Sequence, residues 1–295
     1  MSRATRRAMP REAENVAPSL PRLSQVIARH GLTARKSLGQ NFLLDPRLAA
    51  KIAAAAGPLE GRTVVEIGAG PGGLTRALLM AGAREVIAIE KDARCIAALS
   101  ELRAAFPDRL TVIEGDALKI AIASLAPEPV TIVANLPYNL ATALLIKWLG
   151  ELAAIERFTL MFQREVALRL CARPGTRDYG RLTVLVQWLC DAKRLFDVPP
   201  GAFVPAPRVT SSLVALVPRK APRAPAERVA LEAVLAAAFG QRRKMLRSAL
   251  KSLVPDAESL CAQAGVAPTA RAEELSVEAF CALARAYRAR QQAKR

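Results

Sequence analysis

Four consecutive residues, Asn135-Leu136-Pro137-Tyr138, carry groups suited to binding the amino group of a flat base. The side-chain oxygen of Asn135 and the carbonyl of Leu136 can each accept one N–H. Pro137 has a fixed φ and donates no backbone N–H, which makes the turn rigid, and Tyr138 offers a ring face for stacking. The segment follows the apolar run 130–134, so we expect it at the end of a strand. It also fits an ordinary strand end followed by a turn.

A glycine-rich segment follows an earlier predicted strand. Glycines at 68, 70 and 73 form a G-x-G-x-x-G pattern between strand 63–67 and a helix, as in Rossmann-type nucleotide sites. Glu90 ends the next strand, where its carboxylate can accept both ribose hydroxyls of an adenosine. The pattern fits either a dinucleotide or S-adenosylmethionine (SAM).

Three features favour SAM. Glu66 directly precedes the glycines, where it would repel a pyrophosphate but attract the cationic methionine end of SAM. Asp116 follows the third strand, where it can hydrogen-bond an adenine amino group, and Asn135 closes the fourth strand, where a methyl acceptor would meet the sulfonium. Each acid alone could be an ordinary loop carboxylate. Together they mark the edge at which open α/β sheets bind ligands.

Short apolar strands alternate with helices as far as residue 172. This alternation predicts an α/β fold, a mostly parallel, Rossmann-like sheet with helices on both faces. The apolar runs 182–189 and 212–217 are predicted as late strands, their direction left open.

The composition of the sequence changes after these predicted strands. The segment 218–225 is rich in proline and predicts a linker. Four helices are expected beyond it, at 227–239, 242–253, 257–264 and 277–290. The predicted divisions are a disordered basic tail (1–19), a SAM-binding methyltransferase domain (20–217), the linker (218–225) and a small all-α basic domain (226–295).

Composition excludes several classes of protein. No apolar run among the 295 residues approaches the ~20 needed to cross a bilayer. Five scattered cysteines lack C-x-x-C spacing and indicate reduced thiols in a cytosolic protein, and His30 is the only histidine. We therefore expect no metal centre and no histidine-based catalytic triad.

The net charge of +17 is concentrated at the two ends of the chain. Residues 1–51 carry 10 basic and 3 acidic side chains, and residues 218–295 carry 15 and 7, whereas the middle is nearly neutral. Basic ends around a neutral middle favour a polyanion partner, because Lys and Arg neutralise phosphates and release counterions. Ordinary solvated surface charge is the alternative.

Several blocks occur together in a fixed order, and in combination they are specific. The chain resembles the rRNA adenine N6-dimethyltransferase family, and within it the bacterial branch that acts on the small ribosomal subunit, from about residue 20 to about residue 290. The blocks are R-K-S-L-G-Q-N-F-L from Arg35, E-I-G-A-G-P-G from Glu66, N-L-P-Y from Asn135, F-V-P-A-P-R-V from Phe203 and F-G-Q-R-R-K-M-L-R from Phe239.

The resemblance implies roles for individual residues. Those expected to bind the cofactor are Asn41 and Leu43, which close over it, Glu66, Gly68 and Gly70 at the first turn, Glu90 at the ribose, Asp116 at the adenine, and Asn135 between cofactor and substrate. Phe203 would stack on the target adenine opposite Tyr138. Those expected to contact RNA are Arg242, Arg243, Lys244 and Arg247.

The implied reaction is SAM-dependent N6,N6-dimethylation of two adjacent adenosines in a loop near the 3′ end of 16S rRNA. The partner would be the small (30S) ribosomal subunit or its precursor, with a role in subunit biogenesis, and the enzyme a cytoplasmic monomer that uses no metal and no membrane.

Four rivals share some of these features. A DNA adenine methyltransferase more typically has a second proline where Leu136 stands. An NAD-dependent oxidoreductase is disfavoured by Glu66 and by the missing catalytic His or Tyr-Lys pair. A large-subunit rRNA adenine methyltransferase is disfavoured by the C-terminal basic block. A mainly non-catalytic ribosome-assembly factor is the alternative from another class.

Overall fold

A computed structural model describes residues 20–35 and 38–293 of the chain. The predicted tail at 1–19 lies outside the described residues, as do Lys36 and Ser37 of the block that begins at Arg35. Within the described ranges, no helix is long and apolar enough to cross a membrane.

Nine strands are assigned in the described part of the chain. They are β1 (Phe42–Leu43), β2 (Thr63–Ile67), β3 (Glu85–Glu90), β4 (Leu110–Glu114), β5 (Val130–Asn135), β6 (Ile155–Gln163), β7 (Cys190–Val198), β8 (Phe203–Val204) and β9 (Ser211–Pro218). Seven of them form one sheet in the order β4-β3-β2-β5-β6-β9-β7, and β1 pairs with β8 in a separate antiparallel ribbon.

The large sheet has one antiparallel strand, β9, which pairs antiparallel with both of its neighbours. Every residue of β2 is buried, as expected for a parallel strand covered on both faces. The strand order reverses at β2, which lies between β3 and β5. Such a switch point opens a crevice at the carboxyl ends of the strands, and ligands bind there in open α/β sheets.

Eleven α-helices are assigned in the same ranges. They are α1 (Leu23–Arg29), α2 (Pro46–Ala55), α3 (Gly73–Met80), α4 (Ala93–Ala105), α5 (Tyr138–Trp148), α6 (Arg164–Leu170), α7 (Arg181–Leu189), α8 (Arg228–Gly240), α9 (Leu246–Ala249), α10 (Ala257–Gln263) and α11 (Val277–Gln292). Asp45 and Asp92 cap α2 and α4, since each side chain accepts a backbone N–H two residues on.

The predicted Rossmann-like α/β fold with a helical C-terminal part is confirmed. The predicted strand at 182–189 is wrong: this segment is helix α7, buried at Thr183–Val186 and again at Trp188. An apolar run that is covered on several sides does not reveal its period. Strand β7 was missed because half of its residues are polar and only its two ends are buried.

The predicted helix at 242–253 is also wrong. The chain makes a turn at residues 241–244, then the four-residue α9, then a 3₁₀ turn at Leu250–Ser252. Met245 forms an isolated antiparallel bridge with Arg271, and this pairing interrupts the helix.

The helical part packs directly on the α/β part. One hydrophobic cluster contains the buried residues of both, and Tyr179 and Phe280 lie on either side of Phe239. The proline-rich segment between them is held as well, since the Trp188 indole donates to the carbonyl of Ala224 at 2.8 Å. The segment that carries the basic block is therefore fixed relative to the sheet.

Candidate active site

The glycine loop after β2 has the backbone conformation that its sequence requires. Gly68, Gly70 and Gly72 have φ values of 70°, 56° and 88°, a region that other residues rarely adopt. A Cβ on Gly70 would lie 3.4 Å from the Phe42 ring, and a Cβ on Gly73 would lie 2.6 Å from the carbonyl oxygen of Leu43. The loop and strand β1 are thus in close contact because Gly70 and Gly73 carry no side chain.

Glu66 lies beneath this loop with a buried carboxyl group. Its side chain is 2% exposed, and its Oε2 has no hydrogen-bond partner. Burial raises the pKa of Glu66 from 4.5 to about 8, and nearby Thr75 opposes that rise. A buried acceptor without a donor is costly, so the site fits a ligand that brings a cationic donor, such as an amino-acid ammonium.

Glu90 ends β3 at the same edge. Its Oε2 accepts the Gly70 N–H at 2.7 Å, and its Oε1 accepts the N–H groups of Lys91 and Asp92 at 2.7 and 2.9 Å. A carboxylate has about four acceptor positions. The one acceptor position that remains is on Oε2. Two ribose hydroxyls can therefore bind Glu90 only if one of them displaces a backbone N–H or donates to an oxygen that a backbone N–H already uses.

Asp116 lies at the end of β4. Its Oδ1 accepts the Leu118 N–H at 3.1 Å, and its Oδ2 pairs with Lys91 Nζ at 3.2 Å. The Leu118 hydrogen bond, followed by that of Lys91, lowers the pKa of Asp116. An ionised carboxylate at this place can accept an exocyclic amino group of an adenine.

Asn135 ends β5 and contacts the segment before β1. Its Nδ2 donates to the backbone carbonyl of Asn41 at 3.0 Å, and Asn41 Nδ2 donates to the Gly39 carbonyl at 3.3 Å. No described residue donates to Asn135 Oδ1. The fixed amide therefore has its acceptor available, as binding an N–H of a substrate requires.

Leu136, Pro137 and Tyr138 continue from Asn135 into α5. Leu136 is buried at 2% exposure, and Pro137 is the N-cap residue of α5 with φ −57°. The Tyr138 hydroxyl hydrogen-bonds Ser211 Oγ at 2.6 Å, which fixes the ring between β5 and the start of β9. The turn is thus a strand end, as in the plain interpretation, and it also lines the cleft through Asn135, Leu136 and Pro137.

Phe203 lies in strand β8, opposite Leu43 of β1. Both side chains are buried, at 2% and 6% exposure, and belong to the same hydrophobic cluster. Stacking of Phe203 on a base would require its side chain to leave this position. The pairing brings together a segment predicted to cover the cofactor and one predicted to bind the base.

An open cleft of about 280 Å³ joins most of these groups. Its lining includes eight predicted residues, which are Asn41, Gly68, Gly70, Glu90, Asp116, Asn135, Leu136 and Pro137. A smaller cavity of about 30 Å³ adjoins it and is lined by Glu66 and Leu43. The two share Asn41, Gly68, Gly70 and Asn135, so the predicted cofactor residues surround one connected site. Phe203 lines neither.

Sequence reasoning did not single out Phe42, Gln40 or Asp92. Phe42 lines both cavities. Gln40 Nε2 donates to Asp92 Oδ2 at 3.0 Å, and the Asp92 N–H donates to Glu90, so the loop before β1 is linked to the Glu90 carboxylate through Asp92. Hydrogen bonds from Arg94 are the main cause that lowers the pKa of Asp92 to about 2. Phe42 and Gln40 flank Asn41 in a block already noted, but their contacts are tertiary.

The basic block divides into two pairs of residues. Arg242 donates to Glu273 at 2.6 Å and to the Thr176 carbonyl at 3.1 Å, and Arg247 lies 3.7 Å from Glu258. Arg243 and Lys244 are exposed and form no ion pair with any described residue. Arg242 thus joins the helical part to the loop between α6 and α7, and the exposed pair is available to a polyanion.

Known proteins are similar to this chain over nearly its whole length. Ribosomal RNA small subunit methyltransferase A of Rhodospirillum rubrum is 61% identical over 274 residues, which are 93% of this chain and 95% of that protein. The protein of the same name from Paracoccus denitrificans is 58% identical over 270 residues, with coverages of 90% and 95%.

Two solved structures are similar as well. The dimethyladenosine transferase from Plasmodium falciparum has a TM-score of 0.68 at 27% identity, covering 81% of this chain and 94% of that one. The 23S rRNA methyltransferase ErmE has a TM-score of 0.64 at 29% identity, with coverages of 84% and 100%.

The family model described as ribosomal RNA adenine dimethylase matches residues 31–289. This match confirms the predicted family, enzyme class and SAM-binding Rossmann-like fold, and the chain belongs to the ribosomal RNA adenine dimethylase family.

Proposed function

We propose that this protein transfers methyl groups from SAM to N6 of two adjacent adenosines in a loop near the 3′ end of 16S rRNA, twice on each. The partner is the small (30S) ribosomal subunit or its precursor, and the enzyme works in the cytoplasm as a monomer. Names of relatives at 58–61% identity support the small subunit as the substrate. The observation that carries the chemistry is Asn135, which lines the cleft and whose side-chain oxygen accepts no hydrogen bond from a described residue.

The described residues fit the cofactor. The adenosine part would occupy the larger cleft, with Asp116 at the adenine amino group and Glu90 at the ribose, and the methionine ammonium would meet the unpartnered Oε2 of Glu66. Bound SAM supplies an electrophilic methyl group. The backbone of Gly68 and Gly70 allows close approach, and Asn41 and Leu43 cover the site from the side of β1.

Asn135 and Leu136 act on the acceptor nitrogen. The adenine amino group is a poor nucleophile because its lone pair is delocalised into the ring. Two N–H groups that donate to Asn135 Oδ1 and to the Leu136 carbonyl favour a pyramidal nitrogen and stabilise the positive charge that develops. Alignment of the nitrogen with the methyl group lowers the barrier further. No general base is needed, because the methylated ammonium loses its proton to water.

The target base must leave its stack before it can reach Asn135. Tyr138, whose hydroxyl is bonded to Ser211, would contact one face of the base, and Phe203 would contact the other after leaving its place opposite Leu43. A loop nucleotide costs less to unstack than a paired one. Arg243 and Lys244 would bind phosphates of the surrounding RNA, with Arg242 and Arg247 next to them.

Transfer of labelled methyl from SAM tests the proposal. Small subunits that lack the modification should accept label as N6,N6-dimethyladenosine, and large subunits should not. Asn135→Ala should reduce transfer by at least about a hundredfold, in keeping with the loss of a transition-state hydrogen bond. SAM affinity measured by calorimetry should fall far less than transfer does, and this comparison separates a loss of chemistry from a loss of cofactor binding.

Three results would refute parts of this proposal. Near-normal transfer by Asn135→Ala would remove its catalytic role. Label on large subunits alone would favour the large-subunit alternative, which the 29% identity to ErmE leaves as the weaker one. Tight binding to precursor subunits without any transfer would favour a non-catalytic assembly factor.

A further inference from the structure

The segment between α6 and α7 carries a series of arginines that the proposed chemistry does not use. Residues 164–181 contain five arginines and two acidic residues, Glu165 and Asp178. Arg173, Arg177 and Arg181 are exposed, and none of them forms an ion pair with a residue that the structure describes. Arg169 lies 3.9 Å from Glu165, so one acid is already engaged.

This segment is fixed to the helical part of the protein beside the basic block. The Gly175 N–H donates to the Glu273 carbonyl at 2.7 Å, and Arg242 reaches the Thr176 carbonyl at 3.1 Å. Buried Tyr179 packs on Phe239 at the end of α8. The segment is therefore held next to residues 242–244 before any ligand binds, and this preorganisation lowers the entropy cost of binding a ligand there.

The other end of the segment lies at the candidate active site. Asn135 is paired with Met161 in the sheet, and Arg164 follows the end of that strand and donates its N–H to the Thr210 carbonyl at 2.9 Å. Helix α7 ends where β7 begins, and β7 begins at the amino edge of the sheet. Arg181 is the first residue of α7, so it lies at the opposite end of the helix, away from the amino edge. The segment thus connects the site edge with the basic block.

We propose that Arg173, Arg177 and Arg181 form one phosphate-binding surface together with Arg243 and Lys244, and that this surface binds the RNA backbone between the target adenosine and the helical part. The inference rests on the proposed function, because RNA of the small subunit is the partner. Fixed, unpaired guanidinium groups suit phosphates, to which they donate two parallel hydrogen bonds. The surface positions the substrate and takes no part in methyl transfer.

The test replaces the three arginines by glutamine together. At about 0.15 M salt we expect KM for undermethylated small subunits to rise about tenfold, with kcat at saturation and the SAM dissociation constant unchanged. The slope of log affinity against log salt should fall by about 2 to 3, one for each lost phosphate contact. The triple lysine variant keeps the charge and should keep most of the affinity.

Arg62, Arg84 and Arg103 provide a control of equal charge at the opposite edge of the sheet, just before β2, just before β3 and near the end of α4. Their triple glutamine variant has the same net charge and should bind subunits normally. Arg62 and Arg84 pair with Glu156 and Glu128, so thermal unfolding first checks that this variant is folded. Equal KM and salt slope in the two triple variants would overturn the proposed surface. So would a raised KM with an unchanged salt slope, which would indicate contact with ribosomal protein. Absence of methyl transfer in the unmodified enzyme would instead refute the proposed function. The affinity for subunits and its salt dependence would still test the phosphate-binding surface in that case.

Discussion

Glu66 should make the stability of the cofactor-free protein depend on pH. Its pKa is about 8 in the folded chain against an ordinary value of 4.5, because burial disfavours the charged carboxylate. Between these values the folded state holds a proton that the unfolded state releases. The free energy of unfolding therefore falls as pH rises from about 4.5, and the loss is complete above about 8.

The size of the effect follows from the two pKa values. Each unit of difference corresponds to about 1.4 kcal/mol, so the full loss approaches about 5 kcal/mol, as an upper bound. About 2 kcal/mol of it falls between about pH 6 and pH 8. Glu66→Gln stays neutral, so its stability relative to the unmodified protein should improve by that amount over this interval.

Urea unfolding of the cofactor-free proteins at the two pH values measures this difference. Glu165→Gln is the control, since Glu165 is exposed and its nearest cation is 3.9 Å away. The reasoning fails if the stability difference between Glu66→Gln and the unmodified protein is the same at both pH values. Saturating SAM should remove the pH dependence of the unmodified protein, because its ammonium would stabilise the ionised carboxylate.

Three further substitutions test single contacts. Gly73→Ala places a Cβ 2.6 Å from the Leu43 carbonyl, so β1 must move, and calorimetry should find SAM bound at least about tenfold more weakly; normal affinity would show that β1 does not cover the cofactor. Arg242→Ala should lower the free energy of unfolding in urea by about 1–2 kcal/mol because it loses two hydrogen bonds, one of them half-buried, whereas Arg243→Ala should cost less than about 0.5 kcal/mol. Tyr138→Phe keeps the ring and loses one hydrogen bond, so thermal unfolding should show a loss of about 1 kcal/mol with transfer reduced less than about tenfold; a far larger fall in kcat would give the hydroxyl a chemical role.

Strands buried on both faces were predictable from local sequence. Thr63–Ile67 and Glu85–Glu90 are short, mostly apolar segments bounded by turn residues, and both are interior strands of the sheet. Where burial comes from several directions, the same reasoning fails. The run 182–189 is also apolar, yet it forms helix α7. The sheet and the helical part bury it on several sides, so its apolar residues do not show the helical period.

The candidate site was predictable to the extent that strand ends define it. Glu66, Glu90 and Asn135 lie at the carboxyl ends of β2, β3 and β5, and Asp116 lies just after β4. Parallel strands bring these ends to one edge of the sheet. Burial and pairing were not predictable. Phe203 was expected to face a base, and it is instead buried opposite Leu43.

The sequence by itself determined which groups could do the chemistry: an amide followed by a rigid turn, acids at strand ends and glycines where the backbone takes positive φ. These depend on residue type and local conformation, which neighbouring residues control. Only the tertiary structure decided which carboxylates are buried, which arginines are already paired, and how residues 173–181 come to lie beside residues 242–244. Solvent exclusion and long-range contacts arise when distant segments pack together, and no local pattern of residues records them.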